Sequence, residues 1–214
     1  MKIIPIFLLL LLPCFTVYGQ IDESENEELK AYKKDAEEFR KGEANSGESY
    51  FTGVLGNVIL IDYYFRKFTI LDYEDAPEKE FKENITICLS NCKELKKALP
   101  KYDKKEWPLR EEFETITNNW VDSIEYLVKT YITPLAEPFS RPDDTWTEEE
   151  LELHDTYLTA YDNYIIIDEN WVDFQYEFAK NNNFLLEGQV SLDDWLETPT
   201  EEEAVETPGG DNEK

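Results

Sequence analysis

Histidine is almost missing from this sequence, and most of the chemistry that common enzymes use goes with it. His154 is the single histidine in 214 residues. It sits between Leu153 and Asp155 with no HExxH or Cys/His set around it, so zinc hydrolysis and histidine-assisted nucleophilic catalysis lack their parts. The Gly-x-Ser-x-Gly turn, the phosphate-cradling P-loop and the Gly-x-Gly-x-x-Gly dinucleotide turn are also missing, as is an EF-hand calcium loop. Carboxylates alone can perform acid/base work. With 48 acidic residues, however, no single pair stands out. The expectation is a protein that is not an enzyme, with no catalytic residues, no metal site and no cofactor.

Positive charge is the second shortage. The 21 lysines and arginines face 48 aspartates and glutamates, a formal charge of −27. Such a surface repels nucleic acid and anionic membranes; it suits a cationic partner or serves solubility alone. Long apolar runs are scarce as well. The greasiest internal stretch, VLGNVILIDYYFRKFTIL, is interrupted by Asn57, Asp62, Arg66 and Lys67, so no membrane span is expected. Aromatics, by contrast, are plentiful: five Trp, 13 Tyr and 12 Phe, which disordered acidic chains lack. The length fits one folded domain.

The first residues, MKIIPIFLLLLLPCFTVYGQ, have one basic residue, a short greasy core and a small exit residue, the pattern of a secretory signal peptide over 1–19. Without Lys2, 20 basic residues oppose 48 acidic ones, a formal charge of −28. The expected location is therefore secreted and extracellular.

Hydrophobic periodicity predicts an all-α fold, a single-domain bundle of four or five helices over 20–196 with an aromatic-rich core. A capping pattern at Ser24 and Glu27 starts a charged helix running to about Lys41. Residues 49–71 are apolar on nearly every face and read as a central buried helix, although Gly53, Gly56 and the β-branched residues leave a strand open. A linker, DYEDAP, leads to a helix over 78–99 that Pro100 stops. Leu109, Phe113, Ile116, Trp120, Ile124, Leu127 and Tyr131 then recur at intervals of three and four, one stripe of an amphipathic helix. After a proline-punctuated loop, Thr145 with Glu148 or Thr147 with Glu150 can cap a last long helix. That helix carries Tyr157, Tyr161, Tyr164, Trp171 and Phe178, with a kink conceivable at 164–167 and an end at the NNN of 181–183. A short helix at 191–196 and a disordered acidic tail over 197–214 complete the reading.

Cys88 and Cys92 are the two cysteines outside the leader, and the Asn-x-Thr sequon at Asn84 stands just before them. On a helical wheel both cysteines join the stripe of Phe81, Ile85 and Leu95, and Asn84 falls at its edge, where it can reach solvent with a glycan. In an oxidising compartment a Cys88–Cys92 disulfide is expected, since residues four apart on a helix are ~6 Å apart at Cα. A regular helix aims the two side chains poorly for it. Buried thiols and an intermolecular bridge stay open as alternatives.

One stretch carries a resemblance. LDYEDAPEKEF, residues 71–81, is similar to the acidic tail of hirudin-type thrombin inhibitors, with Asp72, Tyr73, Glu74, Asp75, Pro77 and Glu78 matching its order of acidic, aromatic and proline positions. The resemblance implies contact with a basic exosite and makes Tyr73 a candidate for sulfation. Ala76 stands where that tail has a larger apolar residue, Lys79 reverses a charge, and the stretch lies inside the chain. Taken together, the residues point to a secreted acidic binding protein with an extracellular, basic protein as partner. A carrier enclosing a small hydrophobic ligand between Tyr157, Tyr161, Tyr164, Trp171, Trp120 and Tyr64 is the alternative.

Overall fold

The computed structural model describes residues 3–4, 27–73 and 76–186. Five long helices make the bundle: α1 (Glu27–Lys41), α2 (Gly47–Tyr73), α3 (Glu78–Ala98), α4 (Arg110–Leu127) and, after the three-residue α5 (Thr133–Leu135), α6 (Glu148–Asn181). The all-α bundle with an aromatic core is what periodicity predicted. A two-residue parallel pairing joins β1 (Ile3–Ile4) to β2 (Leu185–Leu186). Cleavage of 1–19 would remove β1 with the leader. Ser24, the short helix expected at 191–196 and the acidic tail lie outside the described residues.

The strand alternative for 49–71 is resolved in favour of a helix, and its two glycines have a packing reason. A Cβ at Gly53 would stand 2.5 Å from the Phe39 Cβ, and one at Gly56 would stand 2.7 Å from the Tyr32 carbonyl oxygen. Glycine is what lets α1 lie directly on α2. Arg40 then ties three helices together, donating from Nε to Asn57 Oδ1 at 2.7 Å and from Nη2 to Asn91 Oδ1 at 2.8 Å.

Pro100 does not end the polypeptide's helical path. The last turn of α3 tightens into a 3-10 turn over Leu99–Tyr102, which tolerates proline in its first positions. After α4 the chain opens into a π turn, Val128–Ile132, where Thr133 donates from its amide and its hydroxyl to the Val128 carbonyl. The wide turn comes just ahead of Pro134, which has no N–H to give to a regular helix. Leu109, expected to open the α4 stripe, instead precedes the helix in a left-handed conformation with φ 57°.

Arg141 fastens the loop before α6, reaching Glu150 Oε1 at 2.5 Å and Glu137 Oε1 at 3.2 Å. Of the two capping pairs, Thr147 with Glu150 forms the box: the Glu150 amide donates to Thr147 Oγ1 and the Thr147 amide to Glu150 Oε2. From there α6 runs unbroken through 164–167, with no interruption at the isoleucines. It ends where Asn183 turns left-handed at φ 58°.

Candidate functional site

The α4–α6 pair holds the molecule's densest chemistry, arranged in an inner layer and an outer one. Inside, Phe113 stacks on Phe178 with centroids 4.6 Å apart, and Trp120 meets Trp171 at 5.8 Å. These contacts set the helices antiparallel. Each buried indole has an acceptor, as burial requires: Trp120 Nε1 donates to Asp168 Oδ1 at 2.7 Å, and Trp171 Nε1 donates to Thr117 Oγ1 at 3.1 Å. The Tyr164 hydroxyl donates to the same Asp168 oxygen at 3.4 Å.

Across the core from Asp168, Asp62 on α2 accepts both bonds of the Arg66 Nε, at 2.9 and 2.7 Å. Burial pushes the Asp62 carboxyl up to about 6 against the pull of Arg66, and Asp168 adds to the rise. Burial also raises Asp168, with the Trp120 bond opposing it. A carboxyl near 6 has the proton affinity that acid/base chemistry uses. Here, though, Asp62 is 5% exposed and held by Arg66. Its position is that of the buried half of an i,i+4 ion pair along α2, whose Arg66 end is 41% exposed.

The outer layer is a furrow between the solvent-facing edges of α4 and α6. One section, with a volume of about 910 Å³, has Ile116, Tyr126, Ile167 and Phe174 as apolar lining and Asp122, Asp173 and Glu177 as acidic lining. A second section of about 290 Å³ continues it past Ser123, Tyr126 and Ile167 to Ala160 and Thr156. No lysine or arginine lines either section. From Thr156 to Glu177 the furrow follows α6 for about 30 Å at the helical rise of 1.5 Å per residue. Tyr164 belongs to both layers, lining the second section while bonding to Asp168. Sequence reasoning missed this furrow; its trace was surplus apolar side chains, Tyr126 and Ile167, lying off the core stripe or beside it.

Asn84 does not reach solvent. It is 3% exposed, and its Nδ2, the atom a glycan would occupy, donates to the Tyr64 carbonyl at 2.7 Å. The wheel placed Asn84 at an edge; α2 crosses over that edge and covers it. A glycan on Nδ2 and this packing exclude one another. The expected disulfide is not seen, and the buried-thiol alternative is: Cys88 and Cys92 are free, buried thiols on an uninterrupted α3. A hydrogen bond to Cys92, then burial, pushes the Cys88 thiol well above its ordinary value, the opposite of what a reactive thiolate needs. Cys88 Sγ also lies 3.9 Å from the Ile61 carbonyl.

The stretch resembling hirudin is split among different environments. Asp72 and Tyr73 form the end of α2, not a linker, with Asp72 exposed. Glu74 and Asp75 fall outside the described residues. Ala76 is buried, Pro77 stands at the α3 N-cap, and Glu78 pairs with Lys82 at 2.6 Å. His154 is half-buried on α6 among the rings of Trp146, Phe139 and Tyr157, with centroids 5.6, 6.0 and 6.2 Å away. The aromatics considered for a ligand cavity pack on each other: Trp120 on Trp171, Tyr64 on Tyr63, and Tyr161 on both Tyr157 and Tyr164.

Among the described residues, no group of three or more His, Cys, Asp or Glu side chains is placed to hold a metal ion. No described helix is long and apolar enough to cross a membrane. Compared with protein-family models, with curated proteins and with solved structures, the chain matches none.

Proposed function

We propose that the chain is a secreted, non-enzymatic acidic binding protein whose partner is a basic extracellular molecule. One observation carries the reading: 48 acidic residues against 21 basic ones on a chain with an aromatic-rich core. Charge of that size is held at the surface, where it attracts cations over about a Debye length. The acidic furrow between α4 and α6 supports it further, because carboxylates beside apolar lining can use Coulomb attraction and burial on one ligand. The leader pattern supports the extracellular setting.

Capture on the immobilised chain tests the proposal. A basic protein should be retained at low salt and released as ionic strength approaches about 0.5 M, where screening leaves only a few ångströms of reach. The same protein with its lysines succinylated should pass through. Failure to retain the basic form at low salt would remove the proposal's support.

A further inference from the structure

We propose that the α4–α6 furrow is the seat for that partner, and that what it seats is a basic amphipathic helix of about 20 residues, long enough to fill about 30 Å. The inference rests on the binding reading above and adds to it a place and a shape.

The furrow's walls decide the shape. Both are helices, whose backbone donors and acceptors are already paired within each helix, so an extended peptide finds no strand edge to bond. A helix needs none. Its apolar stripe can lie on Ile116, Tyr126, Ile167 and Phe174, which are presented to solvent along the furrow. Tyr126, 53% exposed, continues this apolar strip from the first section into the second.

Charge decides the composition. Asp122, Asp173 and Glu177 line the furrow without a basic residue among the lining. Lys96 on α3 already holds Asp122, whereas Asp173 and Glu177 form no ion pair among the described residues. Two unpaired carboxylates, one turn apart on α6, suit lysine or arginine flanking the incoming stripe. The chain's own end is a poor occupant by the same criterion: residues 197–214 carry seven acidic residues and one lysine. A second copy of this acidic chain is repelled likewise.

The test uses a labelled synthetic 20-residue peptide of leucine and lysine at helical spacing, with a scrambled peptide of the same composition, read by fluorescence anisotropy against the mature chain. The double variant Asp173→Lys/Glu177→Lys is compared with Glu37→Lys/Glu38→Lys, which makes the same charge change on the exposed side of α1. All four positions are exposed, and circular dichroism of each variant is to match the parent chain before binding is compared. Reversal in the furrow should weaken binding about tenfold or more, reversal on α1 less than about threefold, and scrambling about tenfold. Equal losses from both double variants, or equal binding of the scrambled peptide, would overturn the seat and leave the function standing. If neither peptide binds at low salt, the proposed function falls with it.

Discussion

Two seams of the bundle solve the same packing problem with opposite residues. Between α1 and α2 the contact is made by Gly53 and Gly56, whose missing side chains bring Phe39 and the Tyr32 backbone to within what a Cβ would need. The helices touch directly at those two positions, and Arg40 ties the seam to Asn57 and to Asn91 on α3. Between α4 and α6 the contact is made by Trp120, Trp171, Phe113 and Phe178, with acceptors supplied for both indoles. Large rings fill the inside of that seam, and its solvent side remains a furrow. Helix separation follows the side chains at the contact. Glycine closes a seam against ligands, whereas tryptophan fills the core and leaves room at the rim.

The comparison breaks most visibly at Trp171. Trp171→Ala should lower stability by about 3–5 kcal/mol, because a fully buried ring leaves a cavity and Thr117 loses its donor. Urea denaturation measures it, and a loss near 1 kcal/mol would mean that the rings do not set this seam.

Asp62, on α2, comes next. Its folded-state value near 6 lies above the unfolded carboxyl near 4, so the folded chain holds the extra proton between those values. Its contribution to stability therefore falls as pH rises through that window, by up to about 3 kcal/mol, and is level above it. Asp62→Asn lacks this loss. Relative to the parent chain it should be more stable at pH 7 than at pH 4, a difference that denaturation midpoints at the two pH values read directly. An offset independent of pH would show that folding leaves the Asp62 carboxyl at its unfolded value.

Gly53→Ala tests the tight seam. In an open helix the change would stabilise by about 1 kcal/mol. Against the Phe39 Cβ it should destabilise by about 1–3 kcal/mol, and a gain in melting temperature would show that α1 stands further off. Asn84 gives the smallest energy and the sharpest readout. Asn84→Ala should lose about 1–2 kcal/mol with its bond to Tyr64. Protein secreted from a eukaryotic host should show the unmodified mass at Asn84, and a glycan there would contradict the α2–α3 contact.

How much of this was legible in the sequence follows from what periodicity can and cannot see. α4 and α6 were read from stripes because each buries one face, and a face leaves a period of three and four. α2 is covered on most sides, so its apolar residues leave no clear period, and Gly53 and Gly56 looked like breaks when they were contacts. Asn84 was misplaced for a related reason. A wheel ranks a residue within its own helix, and what buries Asn84 is the carbonyl of Tyr64, 20 positions away on another helix. The two thiols were assigned to the core face, but their state was not legible: the bond depends on local aim, and the intact α3 keeps the sulfurs as hydrogen-bonding neighbours. The furrow needed the most distant information, since Ile116 and Phe174 come together only when the rings of α4 and α6 pack on one another.

The central claim is that the seam held by tryptophan is where a basic partner lies. Backbone amide chemical-shift mapping of the mature chain, titrated with the leucine–lysine helix, tests it most directly. The account predicts perturbations concentrated at 116–126 and 156–177, with 72–78 and the α1–α2 seam unchanged. Shifts gathered at 72–78 with a silent furrow would contradict it.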